Sequence, residues 1–168
     1  MPKIIENLES RLIEEAKKQI EEAGYGAMTI RSVAKQCGVG VGTVYNYFAS
    51  KEDLVATHLL ADWNQCVTAI KAVSTYSDSP RPVVLCIYDQ LVSFAARHAA
   101  LFRDEAAISS FSGSFGKYHC VLRTQLAQPL RKFCARDFTA EFLAEALLTW
   151  TMAGKSFDEL FETMERLF

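Results

Sequence analysis

The chain has 168 residues, half of them hydrophobic, and its 18 basic and 20 acidic side chains leave a net charge of −2. This length can hold one moderate domain or a small domain joined to a larger one. The charge balance argues against a protein that coats nucleic acid without specificity. No apolar run could span a bilayer, and the N-terminus lacks a signal-peptide pattern. Five widely spaced cysteines without a Cys-x-x-Cys pair favour a reduced, cytoplasmic protein.

The first predicted element is an amphipathic helix over Ile4 to Glu22, which Gly24 and Gly26 bring to an end. Apolar residues recur along one of its faces at helical spacing. This stripe consists of Ile5, Leu8, Leu12, Ala16 and Ile20. The helix is therefore expected to pack that face against the elements that follow it.

The segment from Met28 to Leu54 predicts two short helices joined by a tight turn, followed at once by a third helix. Thr29 is a suitable N-cap for the first helix, because its hydroxyl can accept a hydrogen bond from an early backbone N–H. Gly38 suits the left-handed residue that ends a helix. Ser50 and Asp53 form a pair that resembles a capping box at the start of the third helix. This order is typical of a helix-turn-helix.

The second helix of this motif is predicted to begin near Gly40 or Val41 and to run to about Phe48. Val44 and Phe48 lie four residues apart and are expected to face the core. Tyr45 lies near the boundary between core and surface, and we favour the surface for it. The rest of this helix then faces outward.

The motif resembles the N-terminal DNA-binding domain of TetR-family transcriptional regulators. The resemblance rests on Thr-Ile-Arg at its start, Gly-Val at the turn, and the pattern Tyr45-x-Tyr47-Phe48-x-x-Lys51-x-x-Leu54. It covers roughly residues 4 to 60, about a third of the chain. It implies an all-α protein with a three-helix DNA-binding domain over residues 1–50 and a helical ligand-binding and dimerisation domain over residues 51–168.

The resemblance also implies which residues meet DNA. Base or near-base contacts are expected from Val41, Gly42, Thr43, Tyr45 and Asn46, and phosphate contacts from Thr29, Arg31, Tyr47 and Lys51. Asn46 could pair with an adenine edge, and the Lys51 ammonium is expected to be free for a phosphate. No Arg, Lys or Gln lies on the second helix, so we expect the site to be recognised mainly at A·T pairs and by shape. Residues 23–51 contain no acidic side chain and three basic ones.

Further helices are predicted along the rest of the chain. They cover residues 51–72, 83–98, 99–110, 118–135 and 138–153, with a loop at 74–82, a flexible break at 110–116 and a last helix after Ser156, where Glu159 completes a capping box. Pro129 is expected to kink or bound its helix.

The last two helices carry apolar stripes that suit pairing with a second copy of the chain. The stripes are Phe142, Leu143, Ala146, Leu147 and Trp150 on one helix, and Phe157, Leu160, Phe161, Met164 and Leu167 on the other. Surfaces this apolar must be covered. The resemblance implies a homodimer through an intersubunit four-helix bundle, and the alternative is packing against the chain's own body.

The middle of the chain is rich in aromatic residues, and the resemblance implies a pocket there for a small apolar or aromatic ligand. Trp63, Phe94, Tyr118 and Trp150 are the candidate walls, with plain core packing as the alternative for each. Cys66, Cys86, His119 and Cys120 could supply polarity. We expect no cofactor and no metal. The three histidines are scattered, and the adjacent His119 and Cys120 diverge by about 100° on a helix.

These features together predict a sequence-specific DNA-binding transcriptional regulator, a ligand-released repressor that binds a palindromic operator as a dimer. The alternative is a helical interaction module that keeps the helix-turn-helix scaffold without binding DNA; the low net charge and the glycines of the second motif helix favour it. An enzyme is not expected, since the sequence contains no Gly-rich phosphate loop, HExxH or Gly-x-Ser-x-Gly.

Overall fold

The computed structural model describes residues 7–168, and within that range every regular element is helical, so the all-α prediction is confirmed. The helices are α1 (Leu8–Ala23), α2 (Ile30–Cys37), α3 (Val41–Tyr45), α4 (Lys51–Tyr76), α5 (Pro80–Arg97), α6 (Ala99–Phe102), α7 (Glu105–Phe111), α8 (Phe115–Leu130), α9 (Asp137–Met152) and α10 (Phe157–Met164). Among the described residues, no helix is both long and apolar enough to cross a membrane.

The described chain divides into two compact units. The first unit contains the described residues up to Ala61 together with His98–Ser112, and the second contains Asp62–Arg97 and Gly113–Phe168. The first unit therefore combines α1, α2, α3, α6 and α7 with the first part of α4. The predicted boundary between residues 50 and 51 separates a DNA-binding role from a ligand-binding and dimerisation role. It does not describe these compact units, and it stays a prediction.

The first unit is built around the apolar stripe of α1. Leu8, Leu12, Ala16 and Ile20 are buried, as the helical spacing predicts. The predicted start at Ile4 and the stripe residue Ile5 lie outside the described residues. The same core takes in Tyr25, Met28, Val33, Val44, Phe48 and Leu54 from the elements that follow. Burial of this shared apolar surface holds the short α2 and α3, which are too short to be stable as isolated helices.

The second unit packs α5, α8, α9 and α10 against one another. Most of its buried side chains are aliphatic, among them Val84 and Ile87 on α5, Leu126 on α8, and Leu143 and Leu147 on α9. Gly154 ends α9 at a φ of 83°. Ser156 and Glu159 then form the predicted capping box at the start of α10.

The predicted boundaries of three segments after α3 are wrong. The loop expected at 74–82 shrinks to three residues, because α4 continues to Tyr76 and α5 begins at Pro80. A proline at the first helical position gives up an N–H that has no intrahelical partner there, so it starts a helix instead of interrupting one. The helix expected over 99–110 is two helices, since Asp104 caps a new start. The break expected at 110–116 holds the end of α7, a 3₁₀ turn at Ser112–Ser114 and the start of α8.

Candidate nucleic-acid interface

The start of α2 is fixed by hydrogen bonds between two side chains and the backbone. The Thr29 hydroxyl accepts from the Ser32 amide at 3.0 Å, and the Thr29 amide donates to the Ser32 hydroxyl at 3.1 Å. This is a reciprocal cap in which serine takes the place usually held by Glu or Gln. Thr29 therefore caps α2 as predicted, and its contact with phosphate stays a prediction. Arg31 and Lys35 on the same helix are exposed.

The turn between α2 and α3 depends on Gly38. Its φ of 69° and ψ of 33° lie in the left-handed region, which suits glycine because it carries no Cβ. The next amide, that of Val39, donates to the Ala34 carbonyl at 3.0 Å and closes the end of α2. The turn therefore sets the direction in which α3 leaves α2.

Helix α3 is one turn long and presents its polar side outward. Val44 and Phe48 anchor it, with Phe48 only 1% exposed, whereas Tyr45 is 53% exposed. Gly42, Asn46 and Tyr47 are also exposed. The prediction that Phe48 is core and Tyr45 surface is confirmed.

The end of α3 differs from the prediction. The helix ends at Tyr45 instead of Phe48, so Asn46 and Tyr47 follow its last helical residue. Val41 and Thr43 are half-buried. The predicted base-contact residues still lie within one six-residue stretch, and their contacts with DNA stay a prediction.

Lys51 does not have the free ammonium that the sequence predicts. Its Nζ donates to the Tyr25 carbonyl and lies 3.9 Å from the centroid of the Tyr25 ring. Burial lowers the pKa of Lys51, although Glu52 and Asp104 nearby act in the opposite direction. One contact of the ammonium is therefore internal to the first unit. Whether its remaining N–H groups meet a phosphate stays a prediction.

Tyr25 and Asp104 tie the α1–α2 connection to α7, a contact that the sequence analysis missed. The Tyr25 amide donates to Asp104 Oδ2 at 2.7 Å, while Asp104 Oδ1 accepts from the amides of Ala106 and Ala107. Hydrogen bonds from backbone amides, first that of Ala107, hold the pKa of Asp104 below its usual range. The Tyr25 hydroxyl donates to Glu52 Oε1 at 3.0 Å. An aspartate before Glu-Ala-Ala is an N-cap signal that could have predicted the start of α7.

The predicted ligand residues of the second unit are only partly brought together. Trp63 and Phe94 are buried with their ring centroids 5.5 Å apart, and Trp63 Nε1 donates to Gln125 Oε1 at 2.6 Å. Tyr118 is half-buried, and Trp150 is 50% exposed on α9. An open groove along α4 is lined by Asn64, Gln65, Thr68, Ala69 and Ala72, none of which is a predicted wall.

The histidines are less scattered in the fold than in the sequence. His119 Nε2 lies 2.8 Å from Glu145 Oε1, which joins α8 to α9. His58 on α4 and His98, the residue before α6, pack edge to face in the first unit, with ring centroids 5.2 Å apart. Neither pair was predicted, because sequence spacing alone does not report contacts between helices.

Replacing Gly42 with alanine tests why glycine stands on α3. A Cβ at this position meets no atom within 4 Å, and the backbone there does not need glycine. We expect Gly42→Ala to stabilise the first unit by up to about 1 kcal/mol, because alanine has the higher helix propensity. Urea unfolding followed by circular dichroism measures this gain. If DNA affinity falls while stability rises, the glycine serves close approach of the backbone to DNA; unchanged affinity would contradict that role.

Comparison with known proteins points in the same direction as this geometry. The family model for bacterial regulatory proteins of the tetR family matches residues 12–57. The HTH-type transcriptional regulator YuxN of Bacillus subtilis is 36% identical over 73 residues, which cover 44% of this chain and 25% of YuxN. An HTH-type transcriptional regulator of Staphylococcus aureus is 30% identical over 93 residues, which cover 55% of this chain and 50% of that protein. The match thus spans a quarter to a half of the length of these curated relatives.

Solved structures share the fold over nearly the whole chain. A transcriptional regulator of Streptomyces coelicolor A3(2) superposes with a TM-score of 0.71 at 15% identity, covering 94% of this chain and 96% of that one. FadR of Bacillus subtilis, solved in complex with stearoyl-CoA, gives a TM-score of 0.57 at 18% identity, covering 92% and 96%. At these identities the likeness concerns the fold alone. The segment at residues 12–57, which contains both motif helices and their turn, matches the tetR family of bacterial regulatory proteins.

Proposed function

We propose that this protein is a sequence-specific DNA-binding transcriptional regulator that acts as a homodimer on a palindromic operator. The observation that carries the proposal is the construction of α3: Val44 and Phe48 fix it in the core while Tyr45, Asn46 and Tyr47 stay exposed. The absence of acidic residues from 23 to 51 keeps this surface compatible with phosphates. The curated relatives, named as transcriptional regulators, support the same function.

The proposed contacts divide into two kinds. Val41, Gly42, Thr43, Tyr45 and Asn46 meet the bases, and Thr29, Arg31, Tyr47 and Lys51 meet the backbone phosphates. Asn46 is the one amide among the base-contact residues, and a bidentate amide selects adenine. Because residues 40–48 contain no Arg, Lys or Gln, A·T pairs and groove shape carry the specificity. Lys51 contributes less than a free lysine would, since its ammonium also holds Tyr25.

The proposed dimer interface centres on α9. On α10, the predicted stripe is mostly used within the second unit itself, since Leu160, Phe161 and Met164 are buried there. On α9, by contrast, Phe138 and Phe142 are 75% and 53% exposed, and Trp150 near the end of the same helix is 50% exposed. A second copy of α9 would cover these side chains. Two copies of α3 related by a two-fold axis then meet half-sites one helical turn apart, ~34 Å.

The proposed ligand is a small apolar or aromatic molecule that releases the repressor from DNA. The buried Trp63 and Phe94 rings, with Gln125 beside them, give the second unit an apolar environment with a polar group. The stearoyl-CoA complex of the Bacillus subtilis FadR structure supports an apolar ligand on a related fold. Ligand binding shifts α4, which starts at Lys51, and so changes the separation of the two DNA-binding segments. This works only if the ligand binds the released state more tightly.

Selection of random duplex DNA by the purified chain tests the proposal. We expect one palindrome to be enriched, and Asn46→Ala to relax the preference at an adenine and to lose about tenfold or more in affinity, since a bidentate contact discriminates by ~1–3 kcal/mol. Tyr45→Ala should also weaken binding, whereas Gln65→Ala, an exposed change on α4, should not. Log affinity should fall linearly with log salt. No enrichment by folded protein at low salt would reject DNA binding and favour the interaction module.

A further inference from the structure

Lys51 and the start of α7 are joined through Tyr25. The Tyr25 carbonyl accepts a hydrogen bond from Lys51 Nζ, and the Tyr25 amide donates to Asp104 Oδ2 at 2.7 Å. All three residues belong to the first unit, although the segment that contains Asp104 lies between two parts of the second unit in the sequence. The Lys51 ammonium is therefore held by a residue that is itself held by Asp104.

The Asp104 carboxylate binds two segments at once. Its Oδ1 accepts from the amides of Ala106 and Ala107 at 2.9 and 3.1 Å and caps α7. Its Oδ2 lies so close to Gly24 that a Cβ there would stand 2.9 Å from it, and Gly24 has a φ of 85°. Glycine therefore lets the carboxylate reach the Tyr25 amide without a clash. A side chain with a single acceptor oxygen could not serve both segments in this way.

Tyr25 is fixed on every side that the structure describes. It is 2% exposed, its ring centroid lies 5.9 Å from that of Phe111, and its hydroxyl donates to Glu52 Oε1 at 3.0 Å. Lys51 Nζ lies 3.9 Å from the Tyr25 ring centroid, and the face of an aromatic ring attracts a cation. To turn fully toward a phosphate, the ammonium must leave both the carbonyl and the ring.

We propose that Asp104 is a positioning residue that limits DNA affinity, because by fixing Tyr25 it keeps the Lys51 ammonium on Tyr25 and away from the phosphates. This inference rests on the proposed DNA-binding function. Loosening Tyr25 frees one cation per chain for the DNA backbone. Contacts with phosphate carry no sequence information, so affinity for the operator and for unrelated duplex rises by the same factor. The restraint thus keeps sequence-independent binding low without involving the residues proposed to meet the bases.

Asp104→Asn separates the two roles of the carboxylate. Asparagine is as good an N-cap as aspartate, so its one oxygen can hold α7, whereas its NH₂ group cannot accept from the Tyr25 amide. We expect DNA binding to tighten by about threefold or more at low salt, the effect of one exposed ion pair in each chain. The plot of log affinity against log salt should steepen by about 0.9 per chain, the value for one added phosphate contact. Titration of a labelled random-sequence duplex and of the selected palindrome, at several salt concentrations, measures both changes.

Two further variants separate this restraint from the loss of a negative charge. Glu105→Gln removes the same charge from the neighbouring exposed residue, and it should leave the salt dependence unchanged. In a Lys51→Ala background, Asp104→Asn should have no effect on affinity, because the cation that it frees is absent. Circular dichroism checks that each variant is folded. Asp104→Ser, in which a shorter side chain also caps a helix, replaces Asp104→Asn if that variant is unfolded, with the same expected gain.

The outcomes distinguish this inference from the proposed function. If wild type binds DNA and folded Asp104→Asn binds equally or more weakly, the restraint is overturned while the proposed function stands. An equal gain with and without Lys51 would also overturn it. If neither protein binds either duplex at low salt, the proposed function fails, and the restraint fails with it.

Discussion

Replacing Phe48 with alanine is expected to destabilise the first unit by about 3–5 kcal/mol, which is the usual result of truncating a buried phenylalanine. Phe48 is 1% exposed and belongs to the same core as Leu12, Val44 and Leu54. The change would remove a large share of the 5–15 kcal/mol that typically separates folded from unfolded domains. Urea unfolding followed by far-ultraviolet circular dichroism measures the loss.

The neighbouring residue provides the control for this prediction. Tyr47 is 45% exposed, so Tyr47→Ala should change the free energy of unfolding by no more than about 0.5 kcal/mol. Both tryptophans, Trp63 and Trp150, belong to the second unit, so their fluorescence follows that unit during the same titration. Equal destabilisation by the two alanine variants would mean that Phe48 does not anchor α3.

The elements that could be predicted from the sequence are those whose signals are local. Thr29, Gly38 and Ser156 mark helix ends through their own backbone or side-chain hydrogen bonds, and each occupies the predicted position. The stripe of α1 could be predicted for the same reason, because helical periodicity is a property of one segment. The DNA-contact residues were predicted from the resemblance of the helix-turn-helix segment to the TetR family.

The predictions that failed depended on contacts between segments that are far apart in the sequence. The sequence predicts that Lys51 reaches out to DNA, but in the fold its ammonium contacts Tyr25, which lies 26 positions earlier in the chain. Asp104 gives an N-cap signal, but its bond to the Tyr25 amide joins residues 79 positions apart. His58 and His98 meet across a similar separation in sequence. Single-sequence patterns carry no information on such pairings.

The apolar stripes of the last two helices illustrate the same limit. The spacing of apolar residues predicts an apolar face on each helix. It does not say whether other helices of the same chain or a second copy cover that face. In the structure α10 packs against α5 and α9, so its stripe is largely used within the second unit. The large aromatic side chains of this region that stay largely exposed are on α9, among them Phe138 and Phe142. The fold thus moves the candidate interface from both helices to one.

We expect Phe142→Glu to convert the proposed dimer into monomers and to reduce operator affinity by about 100-fold or more. Phe142 is 53% exposed, so a charge there is solvated in the monomer but costly when buried against a second copy of α9. Linked half-sites gain roughly 10²–10⁴ over single ones, and a monomer loses that gain. Analytical ultracentrifugation measures the mass, and a DNA titration measures the affinity.

A second exposed aromatic residue separates loss of the dimer from a general effect of added charge. Tyr76, at the end of α4, is 86% exposed, and Tyr76→Glu adds the same charge without touching α9. We expect that variant to stay dimeric and to bind DNA as the wild type does. If Phe142→Glu also stays dimeric, the α9 face is not the interface. If it becomes monomeric yet keeps full operator affinity, each copy binds its half-site alone. The proposed release by ligand then loses its basis, because it acts by changing the separation of two joined DNA-binding segments.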